Sequence, residues 1–456
     1  MVVQDGEFAR RQGRVHPVPG RVWWHAVVGW RYVEREGEAL GGRGWRAGAA
    51  LVAAALCGAL VAGTGGGRAV AADAGRAEVA VRLAASSVIA PGVEYRAFSV
   101  PASHGTAYGH LLTADLTERR VSVGLLTPGA VAAREPVSRM AVALHAVAGV
   151  NADFFDISEA QHPGVEATGA AVGPAVSDGV ALKAAVPAGQ RFGPPLPPGT
   201  STRDVLGVGA DRVARLDRLS LSASATTPYG TVRVGGFNQY AVPVGGVGVF
   251  TSAWGSASRA RAVCGTDSDR AAPCGKDGYE VVVRHGRVVS GSPVPGSGAI
   301  GRDTVVLVGR ERGAAVLRRL RPGQPVTVRE RLVARSGAVP RFAVGGFPVL
   351  RGGQPLSGLD RVTAATRTAA GVGGRGRRLY LLVLDGNAEN GSGLSIAELA
   401  GVMRQIGAVD AVNLDGGGSS TLVARDPATG QVTVRNHPSG GAERPVPEGI
   451  GLFSRS

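Results

Sequence analysis

Leu379-Tyr380-Leu381-Leu382-Val383-Leu384-Asp385-Gly386, then Ser395-Ile396-Ala397-Glu398-Leu399 onward to Gly407, then Ala411-Val412-Asn413-Leu414-Asp415-Gly416-Gly417-Gly418-Ser419-Ser420 carry the fold of this chain. The first run is apolar without a break and of strand length, which suits a strand buried on both faces. Ser395 with Glu398 three residues on has the pattern of a capping box. Ile396, Leu399, Ala400, Met403 and Ile406 follow at helical spacing until Gly407 stops the helix. Ala411 to Leu414 reads as the next strand. Crossovers of this kind usually join parallel strands of one sheet, so both strands should end at one edge and bring Asp385 and Asp415 together there. The expected fold class is α+β or mixed α/β: a mixed-sheet core with this C-terminal strand-helix-strand unit and a β-rich insertion.

The glycines after Asp415 have no Cβ, so their N–H groups could turn inward and approach a phosphate or sugar oxygen beside a fixed carboxylate. This is not a nucleotide P-loop, which needs Gly-Lys-Ser/Thr opening a helix. Here there is no lysine, and the loop runs into Thr421-Leu422-Val423-Ala424, which reads as a strand.

At the other end of the chain, residues 47–62 are apolar, preceded by Arg43 and Arg46 and followed by Ala69-Val70-Ala71-Ala72. That pattern fits a signal peptide cleaved near Ala72; retained, it would be a membrane anchor, although it is shorter than the roughly 20 residues a span needs. Residues 1–72 are therefore expected to be a leader. Residues 73–136 read as an N-terminal β-rich region, and strands punctuated by Gly and Pro continue between 202 and 335. The secretory context favours a disulfide between Cys264 and Cys274, since Cys57 falls inside the leader. A bridge closing so short a loop would stabilise by roughly 2–3 kcal/mol in the chain-entropy model.

The net charge is +15, and Lys183 and Lys276 are the only lysines, so nearly all the positive charge is arginine. With abundant Ala and Gly this is the composition of a high-GC coding bias, and no basic run is interleaved with aromatics as single-strand binders require. Nucleic acid is not an expected partner. His104, His110, His145, His162, His285 and His437 show no paired ligand spacing, which argues against a zinc site. A Gly-x-Ser-x-Gly elbow for a serine nucleophile is missing as well.

Several short stretches along the chain are read together, in their order. They are Gly149-Val150-Asn151-Ala152-Asp153-Phe154-Phe155, Gly345-Gly346-Phe347-Pro348-Val349-Leu350, Arg367-Thr368-Ala369, Asp385-Gly386, Gly393-Leu394-Ser395, the Asn413 to Ser420 loop, and Asn436 with Glu443-Arg444-Pro445. The ordered set resembles the phosphodiester glycosidases, over roughly residues 137–453 and most strongly from Phe342 onward. Ala152 or Asp153 and Phe347 stand where that family often has glycine, which bears on the shape of the pocket wall.

The resemblance implies a catalytic domain over residues 137–456, interrupted by the β-rich insertion at about 202–335. It also implies hydrolysis of the bond between an anomeric carbon and a phosphodiester oxygen, as in N-acetylglucosamine 1-phosphodiesters. Arg367 would grip the phosphate, helped by N–H groups of Gly416, Gly417 and Gly418, while Asp385 and Asp415 serve as nucleophile or as base for water. Asn151 and Asn413 would hold sugar hydroxyls, Asp153 a hydroxyl or a divalent cation, and Ser419 and Arg444 would complete the substrate site. No other cofactor is implied. Plainer readings stand beside these: a turn at Asp385, a surface arginine at Arg367, an Asx turn at Asp153, and a surface ion pair at Glu443-Arg444. Two other functions also remain, a secreted envelope protein that binds glycan or polyphosphate without turnover, and a phosphodiesterase that cleaves P–O.

Overall fold

The strand-helix-strand unit forms where its sequence places it. Strand Arg378–Leu384, helix Ile396–Gln405 and strand Asp410–Leu414 are present in the computed structural model, which describes residues 80–386 and 392–455. The leader expected over residues 1–72, with its apolar stretch 47–62, lies outside the described residues. The capping box is complete: the Ser395 side chain accepts from the Glu398 N–H, and the Glu398 carboxylate accepts from the Ser395 N–H at 2.8 Å. Replacing Ser395 by alanine is expected to cost about 1 kcal/mol in a urea melt.

The sheet that receives the unit is not mixed. Its main path runs Arg82–Leu83, Val93–Ala102, Gly105–Asp115, Arg378–Leu384, Thr368–Gly373, Asp410–Leu414, Phe347–Arg351 and Gln354–Pro355, antiparallel at every step. This corrects the expected α+β or mixed α/β class. Among the described residues strand far outweighs helix, 41% against 11%, in several antiparallel sheets with three short α-helices. The reason is local. Thr368-Ala369-Ala370-Gly371-Val372-Gly373 slips between the two strands of the unit, and its small residues give little strand signal. They are small because the helix presses on them. A Cβ on Gly371 would meet Met403 Cε at 2.6 Å, and one on Gly373 would run into the Gly407 carbonyl.

Alternation then builds the layers. Leu379, Leu381 and Val383, with Val412 and Leu414, face a second antiparallel sheet in the order Val432–Val434, Leu422–Arg425, Ala148–Asn151, Gly449–Ser454, Val121–Leu126. Tyr380, Leu382 and Leu384 face the opposite way, onto the apolar stripe Ile396, Leu399, Ala400 and Met403 of the helix. Two further sheets lie largely between residues 204 and 334. One also takes in Ala175–Ser177, Val180–Lys183 and Pro340–Gly345. Trp254 is fully buried there, edge-on to Phe250. Cys264 and Cys274 are joined in a disulfide. No helix among the described residues is long and apolar enough to cross a membrane.

Candidate active site

Thr368–Gly373 is antiparallel to both of its neighbours, so Arg378–Leu384 and Asp410–Leu414 run in the same direction and end at one edge. The Leu384 N–H donates to the Arg367 carbonyl and the Gly417 N–H to the Thr366 carbonyl, each at 2.9 Å. Asp385 and Asp415 therefore flank Thr366-Arg367 from either side. At two strand spacings their backbones stand about 10 Å apart. The shared edge is as expected, but the two carboxylates have different surroundings.

Asp385 is tied down. Its Oδ1 accepts from the His437 N–H at 2.8 Å and lies 3.1 Å from His110 Nε2 and 3.3 Å from His437 Nδ1. Tyr95 Oη lies 2.7 Å from His110 Nδ1. An ionised carboxylate only accepts, so His110 donates to Asp385 through Nε2, and Nδ1 is left to hydrogen-bond the Tyr95 hydroxyl. Burial pushes the Asp385 carboxyl up, but the bonds from His110 and His437 outweigh it and hold the pKa below the usual value.

Asp415 sits in a closed loop. Its N–H donates to the Ala152 carbonyl at 2.8 Å, its own carbonyl accepts Asn151 Nδ2 at 2.7 Å, and its Oδ1 accepts the Gly416 N–H at 3.0 Å. The Ser419 hydroxyl supports the carboxylate and also accepts from Arg444 Nη1 at 3.3 Å. The expectation of three inward-facing N–H groups needs correcting, since those of Gly416 and Gly417 are committed within the protein. What the glycines provide instead is close approach. A Cβ on Gly418 would collide with the Arg444 guanidinium, and Gly417 adopts φ +59°. Gly418→Ala is expected to displace Arg444 and weaken anion binding there about 10- to 100-fold in a phosphate titration, the range of one charge-assisted hydrogen bond, with little change in melting temperature.

Behind Asp415 lies a buried charged cluster. Asp153 Oδ1 accepts from the Phe154 N–H at 2.9 Å and its Oδ2 from the Gly173 N–H at 2.5 Å. The carboxylate fits because Gly345 has no side chain; a Cβ there would occupy the same space. Lys183 donates to the Gly173 carbonyl and, at 2.8 Å, to that of Ala184. Glu448 is buried, with Oε1 unpartnered among the described residues. Burial lifts Asp153 to about 6 against the pull of Gly173 and Lys183. Burial likewise lifts Asp415 to about 7; Ser419 and Arg444 oppose the shift and the Asp153 charge adds to it. Glu448 is pushed up and Lys183 down, both by burial first.

Arg444 also borders an open pocket of about 580 Å³ shared with Arg134, Thr168, Ile157, Glu166 and Pro445. Thr168 is fixed there by Asp156, whose Oδ2 accepts both its N–H and its hydroxyl at 2.8 Å. Glu443 points elsewhere and accepts the Ser138 N–H at 3.0 Å, so it forms no pair with Arg444.

Other expected site residues are engaged differently. Arg367 is buried, and it donates from Nε to the Leu394 carbonyl at 2.8 Å and from Nη2 to that of Thr363 at 2.7 Å. Asn151 spends its amide on Asp415, Thr368 and the Thr421 N–H, which makes it a brace for the loop. Asn413 faces away from this pocket, into a separate small one. Among the described residues the only His, Cys, Asp and Glu side chains grouped within 4.8 Å as a metal would need are His162, Cys264 and Cys274, and both sulfurs are already bonded to each other. Sequence reasoning missed Arg134, His110, Lys183 and Glu448. Only Lys183 left a signal: in a chain that uses arginine almost everywhere, a retained lysine marks a position where a compact ammonium is required.

Residues 277–453 match the family model for phosphodiester glycosidases. This stretch is a phosphodiester glycosidase domain. The domain contains Arg367, Asp385, the Asn413 to Ser420 loop, Arg444 and Glu448. Asn151, Asp153, Lys183 and Arg134 reach its edge from earlier in the chain. A search of curated protein sequences finds no match.

Among solved structures, a hypothetical protein from Synechocystis superposes with a TM-score of 0.61 at 21% identity, over 83% of this chain and 68% of that one. A Burkholderia pseudomallei protein described as exported gives 0.62 at 21%, over 82% and 97%. These two likenesses show the fold. The catalytic domain of zebrafish N-acetylglucosamine-1-phosphodiester alpha-N-acetylglucosaminidase, auto-inhibited by its pro-peptide, gives 0.41 at 14%, over 84% and 90%.

Proposed function

We propose that this protein is a secreted hydrolase cleaving the sugar–phosphate bond of glycosyl phosphodiesters, N-acetylglucosamine 1-phosphodiesters among them. One observation carries the reading. Within a phosphodiester glycosidase domain, Asp415 is bridged through Ser419 to Arg444, and Arg444 forms the wall of a pocket that also holds Arg134. Two guanidinium groups suit a phosphate, which they can meet with paired N–H donors. The phosphate monoester that leaves has a second pKa of about 6, so it departs largely as a dianion and needs little protonation. Positive charge at the pocket therefore matters more than an acid.

Asp415, with a pKa near neutrality, is suited to take the proton of the attacking water. Asp385 stays ionised on its two histidines and supplies a fixed negative charge for an oxocarbenium-like transition state. Arg367 shapes the edge by holding the Thr363 and Leu394 carbonyls. The disulfide supports export to an oxidising compartment. The test is release of sugar from a sugar 1-phosphodiester by the wild-type protein, Arg444→Ala and Arg134→Ala. Both variants are expected to raise KM. Wild-type protein that binds envelope glycan or polyphosphate yet turns over no diester would replace this reading with the binding-protein one.

A further inference from the structure

The pocket that Arg444 borders is larger than a phosphate needs. It holds about 580 Å³, in the range of sites that take whole organic ligands. A backbone pair brings its two arginines together: the Glu135 N–H donates to the Val446 carbonyl and the Val446 N–H to that of Glu135, each at 3.0 Å. Arg134 directly precedes this pair on one segment, and Arg444 and Pro445 precede it on the other. Arg134 then lies along Gly169 and over the buried Phe155, its guanidinium carbon 5.9 Å from the ring centre. Only glycine allows this, because a Cβ on Gly169 would stand 2.9 Å from Arg134 Cδ and its φ is +72°.

The rest of the wall is small and apolar: Ala132, Ala133, Ile157, Ala167, Ala257 and Pro445. Two of its sides are fixed on the buried Trp254, whose carbonyl accepts the Ala132 N–H and whose Nε1 donates to the Ala257 carbonyl, each at 3.0 Å. Ile157 is left 37% exposed. Thr168 has no proton to offer a ligand, since its hydroxyl donates to Asp156 and accepts the Ala170 N–H at 3.2 Å. Among the lining side chains, Arg134, Arg444 and the exposed Glu166 remain to meet a ligand. Once a phosphate has taken the two arginines, only a carboxylate is left for whatever the phosphate carries. A polyol would press hydroxyls against methyl groups with almost no partners, and that is costly. A second anionic group would face Glu166. An alkyl chain meets neither penalty.

We infer that this pocket receives the leaving group and that the leaving alcohol is an alkyl one, so that the substrate class is a glycosyl phosphoalkyl diester. The sugar then lies towards Asp415, the phosphate between Arg444 and Arg134, and the chain against Ile157 and the alanines. The inference rests on the glycosyl-phosphodiester reading for its sugar, but its test does not depend on turnover.

Isothermal titration with hexyl phosphate, glycerol 1-phosphate and inorganic phosphate isolates the pocket from the chemistry. The two monoesters carry the same charge, so the ratio of their affinities reports the chain alone. Hexyl phosphate should bind about ten-fold more tightly than glycerol 1-phosphate, or better, as burial of about two methylene groups implies. Ile157→Asn and Ala257→Gln each change one apolar wall and should lower that ratio about three-fold or more, the equivalent of about one methylene. Arg134→Ala should weaken all three ligands about ten-fold and keep the ratio. Hexyl phosphate binding no tighter than glycerol 1-phosphate, no binding of any of the three, or a ratio that survives in both folded wall variants overturns the alkyl pocket. The preference found in a protein that cleaves no diester supports the pocket and sinks the hydrolase reading alone. Equal binding of the two monoesters by a protein that does release sugar sinks the pocket alone.

Discussion

Asp415→Asn is expected to lower kcat/KM on a sugar 1-phosphodiester about 1,000-fold while leaving the fold intact, since a positioned base contributes 10² to 10⁴. Asparagine keeps the shape and the bond from the Gly416 N–H, and it removes the site that accepts a proton. The pH profile adds a sharper test. Burial raises the Asp415 carboxyl to about 7. Activity that needs it ionised should climb through pH 7 and flatten above. Were Asp385 the base, its lowered pKa would give a rate already flat from pH 5 upward.

Stability should run the other way. A carboxyl whose folded pKa lies above its unfolded one favours the fold while protonated, and that contribution fades as pH rises from about 4 to 7. Asp415→Asn should therefore be more stable than the wild type above pH 7 and about equal to it below pH 4. A variant that is destabilised at pH 8 would mean that the carboxylate is held by contacts stronger than those of Ser419, Arg444 and Gly416.

Lys183→Met should be the most damaging single change to stability away from the loop. It removes the buried ammonium that offsets Asp153 and Glu448, and it strips the Gly173 and Ala184 carbonyls of a donor. Breaking a buried ionic cluster from one side typically costs 3–5 kcal/mol. Lys183 touches carbonyls and not carboxylates, so about 3 kcal/mol at pH 8 is expected in urea melts. The deficit should shrink towards pH 5. There Asp153, with its pKa of about 6, and Glu448, pushed up by burial, take up protons, and the variant no longer buries uncompensated carboxylates. A deficit that stays constant from pH 5 to 8 would show that Lys183 acts by packing alone.

Much of this architecture is legible in the chain because it depends on near neighbours. Leu379 to Leu384 alternates between two cores, Ser395 and Glu398 cap their helix, and both strands of the unit end at one edge. The class was misjudged at one place. Thr368-Ala369-Ala370-Gly371-Val372-Gly373 is a central strand whose small residues are dictated by the closeness of Met403 and Gly407, contacts more than 30 positions away in sequence. The site shows the same division. Asp415, Ser419 and Arg444 stand out by motif and meet in space. Glu448 and Lys183 are brought beside Asp153 from positions 265 residues apart in sequence; the rarity of lysine in this chain marks Lys183, and no local pattern announces Glu448. The glycines after Asp415 are visible as a motif, but their use was not: they let Thr366 and Arg444 approach, where an anion cradle was expected.

The central claim is that water attacks the sugar and not the phosphorus. Hydrolysis of a sugar 1-phosphodiester in ¹⁸O-labelled water, followed by mass spectrometry of both products, tests it directly. The account requires the label in the anomeric hydroxyl of the released sugar and none in the phosphate monoester. Label in the phosphate would contradict it and make the protein a phosphodiesterase that cleaves P–O.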